Sequence, residues 1–186
     1  MARLQMISAL ALASLIPTAS LADWNGYYAG VSFGTVTNLS YDVTTDIDPD
    51  VDFEDSEGFG VFFGSRAQSS GFVYGGELAV EFTPEAENTD GEVFVDFVVD
   101  LKATAGVPAG DVLLYGILTL SSISGEYGPN DISATGFGAG VGAAFIIGDT
   151  FEIGAEYITR SGSQEFDLTD LDATADTLKI RAAFHF

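Results

Sequence analysis

The chain has 186 residues, room for one domain. Its 28 acidic against 6 basic residues, a net charge of −22, exclude a nucleic-acid binder, which needs cations facing phosphates, and the lack of cysteine excludes disulfide scaffolds, thiolate metal sites and Cys nucleophiles. Disorder is excluded in turn, because 47% of the residues are hydrophobic and 12% aromatic.

Met1–Ala22 reads as a secretory signal peptide. Arg3 is the lone positive charge before the apolar run Ile7–Ile16, which is too short to span a bilayer as a helix. Pro17 ends that run, and Ser20-Leu21-Ala22 places small residues at the cleavage-determining positions. The expected cut precedes Asp23, leaving residues 23–186 as the mature domain.

From there the period is two. Tyr27–Phe33 sets Tyr27, Ala29, Val31 and Phe33 against Tyr28, Gly30 and Ser32. Gly58–Gln68 sets Phe59, Val61 and Phe63 against Gly60, Phe62, Gly64 and Arg66. Phe72–Phe82 sets Tyr74, Leu78, Val80 and Phe82 against Gly75, Glu77, Ala79 and Glu81. Val93–Ala103 sets Val93, Val95, Phe97, Val99 and Leu101 against Asp96, Asp100 and Lys102. Val112–Ser121 is apolar at nearly every position and alternates least. Gly136–Ile147 sets Phe137, Ala139, Val141, Ala143, Phe145 and Ile147 against Gly138, Gly140 and Gly142. Phe151–Arg160 sets Phe151, Ile153, Ala155 and Tyr157 against Glu152, Gly154, Glu156 and Arg160. Thr177–Phe186 sets Leu178, Ile180, Ala182, Phe184 and Phe186 against Lys179, Arg181 and His185. These are eight strand candidates of about ten residues separated by turn residues.

The connections alternate. Thr37–Glu57, Thr83–Glu92, Ser122–Thr135 and Ser161–Asp176 are long, whereas Ser69–Gly71, Gly106–Asp111 and Gly148–Thr150 are short. In an up-and-down antiparallel order, this puts the long loops at one end and the short turns with both termini at the other. That is the plan of a transmembrane β-barrel.

Charge decides which face points inward. Beyond Arg3, every base (Arg66, Lys102, Arg160, Lys179 and Arg181) falls on the polar face of a strand. Those faces also carry Glu77, Glu81, Asp96, Asp100, Glu152 and Glu156, while the four long connections hold 19 acids and no base. A soluble surface intersperses its charges; here each cation stands where a carboxylate can pair with it out of reach of lipid. The expected fold is all-β, an eight-stranded antiparallel up-and-down transmembrane barrel. Its polar lumen is filled by those eleven charged side chains, with glycines on the same faces making room for them. The first strand (about Trp24–Val36) is expected to pair with the last, since an open edge in hydrocarbon leaves backbone groups unsatisfied.

The start Asp23-Trp24-Asn25-Gly26-Tyr27-Tyr28-Ala29-Gly30-Val31 resembles the opening of small outer-membrane β-barrel proteins, namely the OmpA-like transmembrane domain and the outer-membrane immunogenic, porin-family proteins of alphaproteobacteria. Phe186, with Phe184, Ala182, Ile180 and Leu178 at every second position, is similar to the C-terminal signal read by the barrel-assembly machinery. Tyr115-Gly116 and the Gly138–Gly142 strand fit the same family. The resemblance covers residues 23–186 and implies a Gram-negative outer-membrane location. It implies outer-membrane lipid and lipopolysaccharide as surroundings, and the assembly machinery, reading Phe184 and Phe186, as the partner in biogenesis. With the sequence ending at the barrel, no peptidoglycan-binding domain is expected.

Other motifs carry less. The alternate glycines from Gly136 to Gly142 mimic a dinucleotide loop, but such a loop needs a strand before it and a helix after it, and these lie within a strand. The acids Asp46, Asp48, Asp50, Asp52 and Glu57 have calcium-loop spacing, yet Val51 stands where the sharp turn needs glycine and Pro49 interrupts the backbone. No dedicated metal site or cofactor is expected; the acids fit a solvated loop first, with weak, non-specific Ca²⁺ or Mg²⁺ association with the acidic loops as the alternative. His185, the only histidine, is penultimate and falls at a barrel rim, so no catalytic residue and no enzyme activity are expected. Trp24, Tyr27, Tyr157, Phe184 and Phe186 are expected at the membrane interfaces. The resulting functional expectation is a monomeric structural or surface barrel with long acidic extracellular loops. A small diffusion channel is the alternative, and a soluble eight-stranded ligand carrier is disfavoured because it needs an apolar interior.

Overall fold

The computed structural model describes residues 23–43, 57–82, 93–127, 130–148, 150–166 and 169–186. The proposed signal peptide, residues 1–22, and the acids of the calcium-like spacing other than Glu57 lie outside the described residues. Eight strands follow in order: β1 Gly26–Val43, β2 Glu57–Ser69, β3 Phe72–Phe82, β4 Val93–Ala109, β5 Val112–Tyr127, β6 Asn130–Ile147, β7 Phe151–Phe166 and β8 Thr169–His185. Each pairs antiparallel with its sequence neighbour, and β1 pairs with β8, so the sheet closes on itself. Closure removes both edges, the condition for a sheet lying in lipid. The seam is clamped at its end by Phe186 N donating to Tyr27 O (2.9 Å) and Tyr27 N donating to Phe186 O (3.2 Å).

The apolar face points outward. Phe59, Val61 and Phe63 are about half exposed, Phe137 is 72% exposed and Leu118 is 66% exposed. The opposite faces carry the charges inward, with Asp100 fully buried and Glu77, Glu152 and Glu156 nearly so. This arrangement is the reverse of a soluble carrier and removes that reading. The outward belt runs from the end bearing the termini up to positions such as Leu178, Tyr157 and Phe137, above which Thr174, Thr159 and Thr135 face out. A tilted strand needs about 9–11 residues to cross hydrocarbon. Strands of 16 to 18 residues, as in β1, β6 and β7, therefore reach past the belt.

Two expected long connections are corrected by this extension. Ser122–Thr135 and Ser161–Asp176 are mostly strand, with ladders continuing to Tyr127↔Asn130 and Phe166↔Thr169. The expected turn at Gly106–Asp111 is likewise mostly ladder, leaving only Gly110-Asp111 between β4 and β5. Beyond the belt both faces of a strand meet polar surroundings, so alternation fades while backbone pairing continues. At the opposite end, Ser70 (φ 51°) and Gly71 (φ 85°) close the β2–β3 hairpin in the left-handed conformation that two-residue hairpin turns require.

The lumen is not uniformly polar, which corrects the expected polar filling. Trp24, Val73, Leu113, Ile146 and Ile158 form a buried apolar cluster inside the barrel. Leu113, Tyr115 and Ile117 alternate inward along Val112–Ser121, the stretch where alternation was least visible, because there the inward side chains are apolar too.

Candidate functional site

The inward side chains of neighbouring strands stand level where the register pairs them, which builds the interior in layers. Nearest the termini, Arg66 of β2 makes a two-pronged ion pair with Glu152 of β7. Glu152 also accepts from or pairs with His185 Nε2 at 2.8 Å. His185 stacks on Tyr28 and meets Trp24 edge-on. The Arg66 guanidinium lies 4.3 Å from the Tyr28 ring centroid and 5.6 Å from those of Trp24 and Tyr115, attractive positions for a cation over aromatic faces.

The middle layer is built by the pairings Glu77↔Lys102 and Glu156↔Lys179. Lys102 Nζ donates to Glu77 and to Glu156, each at 2.9 Å. Arg181 pairs with the same two carboxylates from the other side and lies 4.0 Å from the Phe62 ring centroid. Tyr28 and Tyr115 hydroxyls donate to Glu77 and Glu156 at 3.0 and 2.9 Å. Two anions are thus held by two cations and two phenols, which offsets much of the cost of burying them.

Farther along, Arg160 Nη2 meets Asp100 at 2.5 Å, and Ser121 Oγ donates to the same carboxylate at 2.6 Å. Arg160 Nη1 donates to Thr177 at 2.9 Å, and Lys179 pairs with Glu81. The structure therefore brings together Arg66, Glu77, Glu81, Asp100, Lys102, Glu152, Glu156, Arg160, Lys179 and Arg181, five anions and five cations. Asp96 lies at the register shift between Val95 and Phe97 of β4, and its side chain is outside the described set. Phe184 and Phe186 sit on the outer face, where Phe186 stacks with Tyr27 and packs against Phe63.

Trp24 was expected at a membrane interface and is instead fully buried within the barrel mouth. The residues before Gly26 precede the ladder, so the strand alternation does not fix where Trp24 points. Sequence reasoning also left Tyr28, Phe62, Tyr115 and Ser121 out of the site. A usable signal was present: the register sets Tyr28 beside Gly64, Phe62 beside Gly30 and Tyr115 beside Gly142. A Cβ built on Gly142 would lie 2.6 Å from a Tyr115 ring carbon, so glycine is what lets the ring lie across the lumen. At the mouth, Asn25 N and Nδ2 donate to Asp23 Oδ1 at 3.0 and 2.6 Å, which holds the Asp23 carboxyl below its ordinary range.

Residues 7–186 match the family described as "Outer membrane protein beta-barrel domain". No curated protein matches the chain. Among solved structures, Neisserial surface protein A (NspA) is similar, with a TM-score of 0.54 at 12% identity, covering 87% of this chain and 97% of its own. OprG from Pseudomonas aeruginosa has a TM-score of 0.49 at 10% identity over 89% and 98% of the two chains. Ail of Yersinia pestis, in complex with the heparin analogue sucrose octasulfate, has a TM-score of 0.41 at 19% identity over 84% and 99%. At these identities the likeness to NspA shows the fold alone.

Proposed function

The chain belongs to the outer membrane protein β-barrel family, and from that premise we propose that it is a closed surface barrel. In this reading it contributes to the envelope and displays its acidic connections outside, and its lumen does not conduct. One observation carries the reading: each of the ten described inward charges is ion-paired with another across the interior. Eight strands enclose a space that side chains can fill, and the apolar cluster around Leu113 and Ile146 adds a second barrier. Short turns and termini face the periplasm, following the usual plan of such barrels. Residues 1–22 are the export signal, and Phe184 and Phe186 are what the assembly machinery reads.

Lipid and lipopolysaccharide surround the outward belt, and the acidic connections associate weakly with divalent cations. We assign no enzyme activity, because His185 is enclosed between Trp24, Tyr28 and Glu152. The test is membrane fractionation with gel mobility before and after boiling. Outer-membrane recovery with a heat-modifiable band supports the reading. Recovery in the soluble fraction, without detergent, sinks it.

A further inference from the structure

We propose that residues 23–25 are a releasable cork in the periplasmic mouth, with Trp24 as its stopper. The compartment it faces rests on the orientation proposed above; its seat inside the barrel does not.

Three parts of such a device are present. The first is a stopper: the Trp24 indole is fully buried against Val73, Leu113 and Ile146, while Asp23 and Asn25 on either side are exposed. The second is a clip. Trp24 N donates to Gln68 Oε1 at 3.1 Å and Gln68 N donates to Asn25 Oδ1 at 2.8 Å, which ties the segment to the end of β2. The third is a hinge at Gly26, whose φ of 120° is a conformation that other residues rarely adopt, so the chain can turn from the ladder into the mouth.

The seat also has a built-in reason to open. Trp24 Nε1 is buried without a hydrogen-bond partner among the described residues. Its ring is held by apolar contact, by the edge of His185 and by the Arg66 guanidinium. A buried donor left unpaired is costly, and water satisfies it once the indole swings out. Two hydrogen bonds, each between a backbone N–H and a side-chain oxygen, and ring packing hold the stopper in, and the indole itself gives up no hydrogen bond when it leaves. Beside it lie Ile146 and the Arg66–Glu152–His185 layer, and the Glu77–Lys102–Glu156–Arg181 layer lies deeper, so unseating Trp24 wets the mouth without opening the ion-paired middle.

The sequence makes the test direct, since Trp24 is the chain's single tryptophan and there is no cysteine. In nanodiscs made with brominated lipid, both mouths are open to aqueous iodide. A cork predicts blue-shifted emission that neither iodide nor brominated lipid quenches strongly. Strong quenching by brominated lipid places Trp24 in the bilayer interface, and strong iodide quenching makes it a free tail; either overturns the proposal. Gln68→Ala should raise iodide quenching, and unchanged quenching removes the clip. As a second measurement, Ile146→Cys should react with a water-soluble maleimide about tenfold faster or more when combined with Trp24→Ala. Equal rates, in proteins whose heat-modifiable mobility shows them folded, refute the stopper. Conductance is read separately: a conducting barrel with a protected Trp24 defeats the closed-lumen reading alone, and a silent barrel with a lipid-quenched Trp24 defeats the cork alone.

Discussion

Glu156 holds Lys102, Arg181 and the Tyr115 hydroxyl at once, and its removal takes a buried partner from each of the three. Breaking a buried pair by deleting one partner costs about 3–5 kcal/mol. Lys102 and Arg181 each keep Glu77, so Glu156→Ala should sit at the low end, about 3 kcal/mol, with little dependence on salt. A folding titration in detergent at low and high salt measures it; a near-neutral, salt-sensitive loss would mean the layer is wet. Glycine gives a second pair of outcomes. Gly142→Ala drives a methyl into the Tyr115 ring and should cost about 1–3 kcal/mol. Gly116→Ala, on the outer face with its nearest atom at 3.9 Å, should change stability by no more than about 0.5 kcal/mol in the same titration. The charged layer was legible in the sequence because cations confined to one strand face have few other reasons to be there. The aromatic half was legible only in part: alternation put Tyr28 and Phe62 on inward faces, but Tyr115 lies where both faces of β5 are apolar, and only the register sets a glycine beside each ring.

At the level of the strand, period-two patterning located all eight elements, because the contrast between lipid outside and ion pairs inside is steep. It failed wherever that contrast vanishes. Along β5 both faces are apolar, and above the belt the lipid contrast is gone, so β5 and β7 were ended too early and β6 and β8 were started too late. The shifts at Val36/Asn38 and Val95/Phe97 were also invisible, since an extra residue leaves no compositional mark. The seam strand carries its own prediction. Removing Phe186 deletes both terminal hydrogen bonds to Tyr27 and the ring contacts with Tyr27 and Phe63, all at the β1–β8 closure. Export should continue unaltered while the amount assembled in the outer membrane falls, read by fractionation against a periplasmic control. Undiminished outer-membrane levels would show that closure and recognition do not depend on this residue.

Over the whole molecule, charge is sorted by place. The described interior balances five anions with five cations, while the four segments first read as long connections hold 19 acids and no base. Such sorting bears on transport. A cation drawn towards the acidic end meets Arg160, Lys179, Lys102 and Arg181 in turn, each already bound to a carboxylate. To pass, it must displace a paired group and leave a buried charge uncompensated, and the apolar cluster beyond offers it no ligand. An anion is opposed at the entrance by the acids themselves. The barrel should therefore insert into planar bilayers without steady openings, and raising the salt should not produce them, because pairs this enclosed are weakly screened. Trp24→Ala alone should stay silent, since the middle layer remains. Removing Glu156 and Arg181 together, which takes out one anion and one cation and preserves the balance, should give intermittent conductance through the gap they leave. Steady, salt-proportional openings in the unaltered barrel would instead require a continuous water path past the ion pairs, and would make the protein a small diffusion channel.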